Sequence, residues 1–116
     1  MRLATALAVS IGCACRRSAP DPTTYRPSSC LIEHDGGVTQ CFDDIGEKAK
    51  LEGAKFCDDM HGDHTFRVAT PCPTEGVLVS CTKGVGTDVE RVERCYREPA
   101  SCEARCAKSA GVLSKR

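Results

Sequence analysis

Residues 72–106 read CPTEGVLVSCTKGVGTDVERVERCYREPASCEARC, and this stretch decides how the chain is understood. Positions 77–83 form a β-branched run with Cys81 inside it, and positions 89–96 alternate apolar with polar residues, so each predicts a strand. Gly84 and Gly86 lie between the two runs and predict an antiparallel hairpin. Pro71 and Pro73 bracket Cys72 and cut the hairpin off from a third, partly alternating run at 65–70. Pro99 and Ser101 open a short helix that carries Cys102 and Cys106 one turn apart, and Gly111 follows its end.

Upstream, residues 30–40 (CLIEHDGGVTQ) start apolar and then reach Asp35-Gly36-Gly37, a turn signal that suits a loop or two short extended pieces. Ile45, Ala49, Gly53, Phe56 and Met60 recur three or four apart and predict a helix over 44–60, with Asp43 or Asp44 as its N-cap and Gly62 as its stop. Cys57 lies beside that apolar stripe and faces inward. The expected fold is α+β: a small disulfide-rich domain with one main helix, a three-stranded antiparallel sheet and a short C-terminal helix.

The chain has 116 residues, with three Phe, two Tyr and no Trp to fill an interior. A domain of this size buries only about 60% of its unfolded surface, so apolar packing alone leaves it marginal. Ten cysteines approach the density of an exported disulfide scaffold. Each closed loop contributes about 2 to 4 kcal/mol, enough for several of them to supply most of a small domain's stability. The disulfide candidates are Cys30, Cys41, Cys57, Cys72, Cys81, Cys95, Cys102 and Cys106. Between Cys30 and Cys106, nine Lys or Arg stand against fifteen Asp or Glu, an acidic excess of six that repels phosphate backbones and argues against a nucleic-acid partner.

Residues 1–12 read as an export signal: Arg2 precedes a short apolar run that ends at small residues and cysteine. Ser10-Ile11-Gly12-Cys13 is similar to the lipobox of bacterial lipoproteins, which implies acylation of Cys13 and a membrane partner reached through N-terminal lipid. Cys15 is the runner-up, because acylation there leaves eight cysteines that pair evenly. Residues 13–29, with Pro20, Pro22 and Pro27 among Ser, Thr and Arg, read as a flexible tether, and residues 30–116 as the stapled domain. The expected location is the cell envelope, as an outer-membrane lipoprotein or in the periplasm, with free secretion as the alternative.

Cys41-Phe42, Cys57, Cys72-Pro73, Cys81, Tyr96 and Cys106 ahead of Gly111 form a pattern. It resembles that of small cysteine-rich lipoproteins of unknown function common in myxobacteria and related bacteria. The likeness spans about residues 41–112 and implies location and fold, without an activity. This chain departs from the pattern by adding Cys95 and Cys102 and by lacking an aromatic cluster and a final Gly-Gly. The two added cysteines sit seven apart and are expected to pair with each other, while the other pairings stay open.

Cys57, Asp58, Asp63, His61 and His64 gather metal-ligand types within eight residues. The plainer reading of this segment is a polar helix end running into a turn, and no metal or other cofactor is assigned. Asp43-Asp44 and Asp58-Asp59 read as helix-end carboxylates rather than a catalytic pair. Glu90, Arg91, Glu93 and Arg94 read as a solvated strand face. Cys102-x-x-x-Cys106 is one residue longer than the redox C-x-x-C motif, and the chain has no G-x-S-x-G or H-E-x-x-H. The expected role is a structural or partner-binding envelope protein, and not an enzyme. A small metal-binding protein using the Cys57–His64 segment, or a secreted inhibitor or toxin-like module, stands as the alternative.

Overall fold

A computed structural model describes residues 26–115. The export signal, Cys13, Cys15 and most of the tether lie outside the described residues. Strands β1 (Ser28–His34) and β2 (Gly37–Asp44) form a hairpin through Asp35 and Gly36, both at positive φ, the geometry that a two-residue turn needs to match strand twist. Two short helices follow, α1 (Glu47–Leu51) and α2 (Gly53–Asp58), and then β3 (Asp63–Arg67). Strands β4 (Val79–Lys83) and β5 (Arg91–Cys95) form the hairpin expected around Gly84 and Gly86. Helix α3 (Pro99–Lys108) and strand β6 (Val112–Lys115) complete the fold.

The six strands among the described residues join one antiparallel sheet in the order β3-β1-β2-β5-β4-β6. This overturns the expectation of a three-stranded sheet under one main helix. The runs at 77–83 and 89–96 contain β4 and β5 and the run at 65–70 overlaps the end of β3, which starts earlier at Asp63, but β1, β2 and β6 double the sheet. Strand β1 begins at Ser28, and the Ser29 hydroxyl donates to the Thr70 carbonyl at 2.5 Å.

The expected helix over 44–60 starts late and is broken in two. Asp43 and Asp44 cap nothing, because β2 runs through them and pairs them with Val92 and Arg91 of β5. Gly46 holds the N-cap position without a side-chain acceptor, and the free amides of Lys48 and Ala49 donate to the Asp88 carbonyl instead, at 2.8 and 3.0 Å. The break falls at Glu52, and Gly53 then starts α2 against the Asp44 carboxylate and the Phe66 ring, where no Cβ fits.

Strand alternation gives the sheet two distinct faces. One face carries Cys30, Phe42, Phe66, Arg91, Glu93, Cys95 and Cys81, as the registers require, and the three helices cover it. Disulfides tie two of these helices down: Cys30–Cys57 holds α2 to β1, while Cys81–Cys106 and Cys95–Cys102 hold α3 to β4 and β5. The opposite face carries Cys41 and Asp43, and the Cys41–Cys72 bridge fixes the loop after β3 across it. All eight of these cysteines are buried. Sulfur therefore supplies much of the interior: one core cluster is Cys30, Ile32, Phe42 and Cys57 with Phe56, Met60 and Phe66 against it, and the other is Val79, Cys95 and Cys102. Cys95 and Cys102, the pair suggested by their spacing, are bonded to each other. Among the described residues no helix is long and apolar enough to cross a membrane.

Candidate functional site

Of the four charged residues that read as a solvated strand face, Arg91, Glu93 and Arg94 stand on β5 with their charges paired, and Glu93 is buried. Glu93 is 3% exposed, and its Oε2 accepts from Arg105 Nη2 at 2.6 Å and from Gln40 Nε2 at 2.7 Å. Arg94 reaches the opposite face, where its Nε donates to Asp43 Oδ2 at 2.7 Å, while Asp43 Oδ1 takes the Cys72 amide at 2.8 Å. Arg91 Nε donates to Asp44 Oδ1 at 2.7 Å and its Nη2 to the Ala49 carbonyl at 3.1 Å. Asp43, Asp44 and Glu93 thus spend their charges holding helices and a loop onto the sheet. Glu90 is the partial exception, its Oε1 accepting the Gly86 amide in an exposed turn.

Among the described residues Asp44 Oδ2 meets no hydrogen-bond partner, although it is buried. Burial pushes the Asp44 carboxyl above the usual carboxylate range, and the hydrogen bond and charge of Arg91 only partly oppose this. Tyr96 is raised above its ordinary value by burial as well, and its hydroxyl donates to the Pro73 carbonyl at 2.6 Å.

The sequence-derived metal candidates do not converge. Cys57 is bonded to Cys30, and Asp58, His61, Asp63 and His64 are all exposed, with His64 Nδ1 2.9 Å from the Gly62 carbonyl oxygen. Gly62 stands at positive φ in the turn between α2 and β3, which separates the two histidines as its position suggests. Among the described residues, the three ligand-type groups that do meet within 4.8 Å are Glu93, Cys95 and Cys102. Their sulfurs are joined in a disulfide and their carboxylate is held by Arg105, so this is a structural cluster with no thiolate to offer.

A cleft of about 160 Å³ opens on the helix-covered face, in the gap between α2 and the β4–β5 hairpin. Phe42 and Phe56 line it with ring centroids 5.0 Å apart in an edge-to-face arrangement, and Val89 closes one side. Lys83, Arg91 and Glu93 supply its polar lining. Arg91 is pinned by Asp44 and Ala49 so that its Cζ lies 3.8 Å from the centre of the Phe56 ring. Phe56 and Arg91 also border a wider, more open depression of about 470 Å³ beside Leu51 and Lys55. Sequence reading misses this cleft: the helical stripe gives Phe56 and the strand run gives Lys83, but nothing local says that a loop at 84–90 folds back over α1 and brings them together. The backbone bonds from Ile45 and Gly46 to Glu90 that do so join positions more than forty residues apart in the chain.

No protein family, no curated protein and no solved structure matches the chain.

Proposed function

We propose that this chain is an exported cell-envelope protein, anchored through lipid on Cys13 with Cys15 as the runner-up, whose stapled domain has a structural or partner-binding role. The observation that carries this reading is the pairing of all eight cysteines from Cys30 to Cys106 into four buried disulfides, a state suited to an oxidising, non-cytoplasmic compartment. The short apolar leader, the lipobox-like residues 10–13 and the likeness to small cysteine-rich lipoproteins support the finer location. The inward use of Asp43, Asp44 and Glu93 as struts, together with an aromatic and cationic cleft left open, favours binding as the role.

The test is intact mass and detergent partitioning of the protein made in a bacterial host, compared with Cys13→Ala and Cys15→Ala. Acylation at Cys13 gives a mass increase and detergent-phase partitioning that Cys13→Ala abolishes and Cys15→Ala leaves unchanged. An unmodified protein in the medium means free secretion, and an unprocessed chain in the cytosol overturns the proposal.

A further inference from the structure

We infer that the cleft between α2 and the β4–β5 hairpin is a binding site for a small aromatic carboxylate, one ring with one negative charge. The inference rests on the binding role proposed above but not on the lipid anchor. Size sets the first limit: an apolar cavity of about 150 Å³ holds one benzene molecule, and this cleft is about 160 Å³. Shape and chemistry set the second, since Phe42, Phe56 and Val89 form an apolar lining and Phe56 already carries the Arg91 guanidinium against its ring. A further ring stacking edge-on against these two phenylalanines adds aromatic contact.

Charge decides the sign of the ligand. Register places Asp44 directly opposite Arg91, and Arg91 directly opposite Lys83, so a row of one negative and two positive groups crosses three strands on the same face. Asp44 neutralises Arg91, but Lys83 has no ion-pair partner among the described residues. Opposite charges on neighbouring strand positions attract, and Asp44 fills that role for Arg91, so an anion in the cleft would do the same for Lys83. Glu93 also lines the cleft, yet its Oε2 is taken by Arg105 and Gln40 on the α3 side, which leaves the cleft with one unbalanced cation. Lys83 is half-buried at the cleft wall, so its ammonium meets a carboxylate in a partly desolvated setting where a charge-assisted hydrogen bond is strong.

The experiment is an NMR titration of the oxidised full chain with benzoate, benzamide and acetate, following the Val89 methyl groups and the Phe56, Lys83 and Arg91 amides. We expect saturable shifts with benzoate, and affinities lower by about tenfold or more for benzamide and for Lys83→Gln with benzoate, the weight of one hydrogen bond to a charged group. Lys83→Arg keeps benzoate binding. Absence of saturable benzoate shifts, benzamide or acetate binding as tightly as benzoate, or unchanged benzoate affinity in Lys83→Gln would overturn the inference. Because the titration uses disulfide-bonded protein whatever its anchor, a negative result with a dispersed spectrum counts against the cleft alone, whereas a reduced cytosolic chain counts against the export reading.

Discussion

Replacing Gly53 by alanine sets helix propensity against close packing. Alanine in place of glycine gains a helix at most about 1 kcal/mol. At this position the new Cβ meets the Asp44 carboxylate and the Phe66 ring, and Asp44 is fixed by Arg91 and cannot retreat. Overpacking of that kind costs about 1–3 kcal/mol, so the expected result is a net loss of roughly 1–2 kcal/mol in urea unfolding. A neutral or stabilised variant would mean that Asp44 and Gly53 are not in contact. Asp44 itself predicts a pH signature. Its folded-state pKa is raised by burial, so the folded protein binds this proton more readily than the unfolded chain does. The stability it contributes is complete below its ordinary value of 3.8 and is lost as pH rises through the raised value. Relative to Asp44→Asn, the natural protein should therefore lose stability as pH rises above 3.8 and through the raised value, measured as the difference between two urea-midpoint profiles. An opposite slope would place the carboxylate in a well-solvated, fully paired setting.

Among the elements, those read well from sequence have local signals and those missed depend on distant partners. The β4–β5 hairpin has a β-branched run, glycines at the turn and an alternating return, and α3 has proline at its start and cysteines one turn apart. Asp43-Asp44 carries a helix-cap signature, yet these residues form strand because Arg94, Arg91 and the Cys72 amide, each about thirty to fifty positions away, hold their carboxylates. β6 has four residues, all exposed, and little pattern of its own; it exists because Gly111 passes so close to the Cys81 and Cys106 sulfurs that the chain turns back along β4. The candidate cleft was illegible for the same reason, as its walls come from four separate elements. Disulfides follow a ranking by span: the entropy they remove from the unfolded chain grows with the loop closed. Replacing Cys30 and Cys57 by serine opens a span of 27 residues and should cost about 3–4 kcal/mol, while the same change at Cys95 and Cys102, a span of 7, should cost about 1 kcal/mol less. Equal losses in chemical denaturation would contradict this ranking.

At the scale of the whole molecule, the fold is a six-stranded sheet whose two faces are held to their covers by sulfur, with cysteines occupying positions that aromatic residues fill in better-packed domains. The candidate site and the sheet stand or fall with those bridges, because α2 and α3 are short and each is bonded to a strand. Reduction should therefore remove the cooperative unfolding transition and the benzoate response together, at neutral pH and moderate temperature. The most direct measurement is peptide mapping by mass spectrometry of the full chain from its natural compartment, blocked with one alkylating reagent before reduction and a second one after. The account predicts that Cys30, Cys41, Cys57, Cys72, Cys81, Cys95, Cys102 and Cys106 carry only the second label, with unreduced digests linking 30 to 57, 41 to 72, 81 to 106 and 95 to 102. First-label alkylation of these cysteines in folded protein would contradict it.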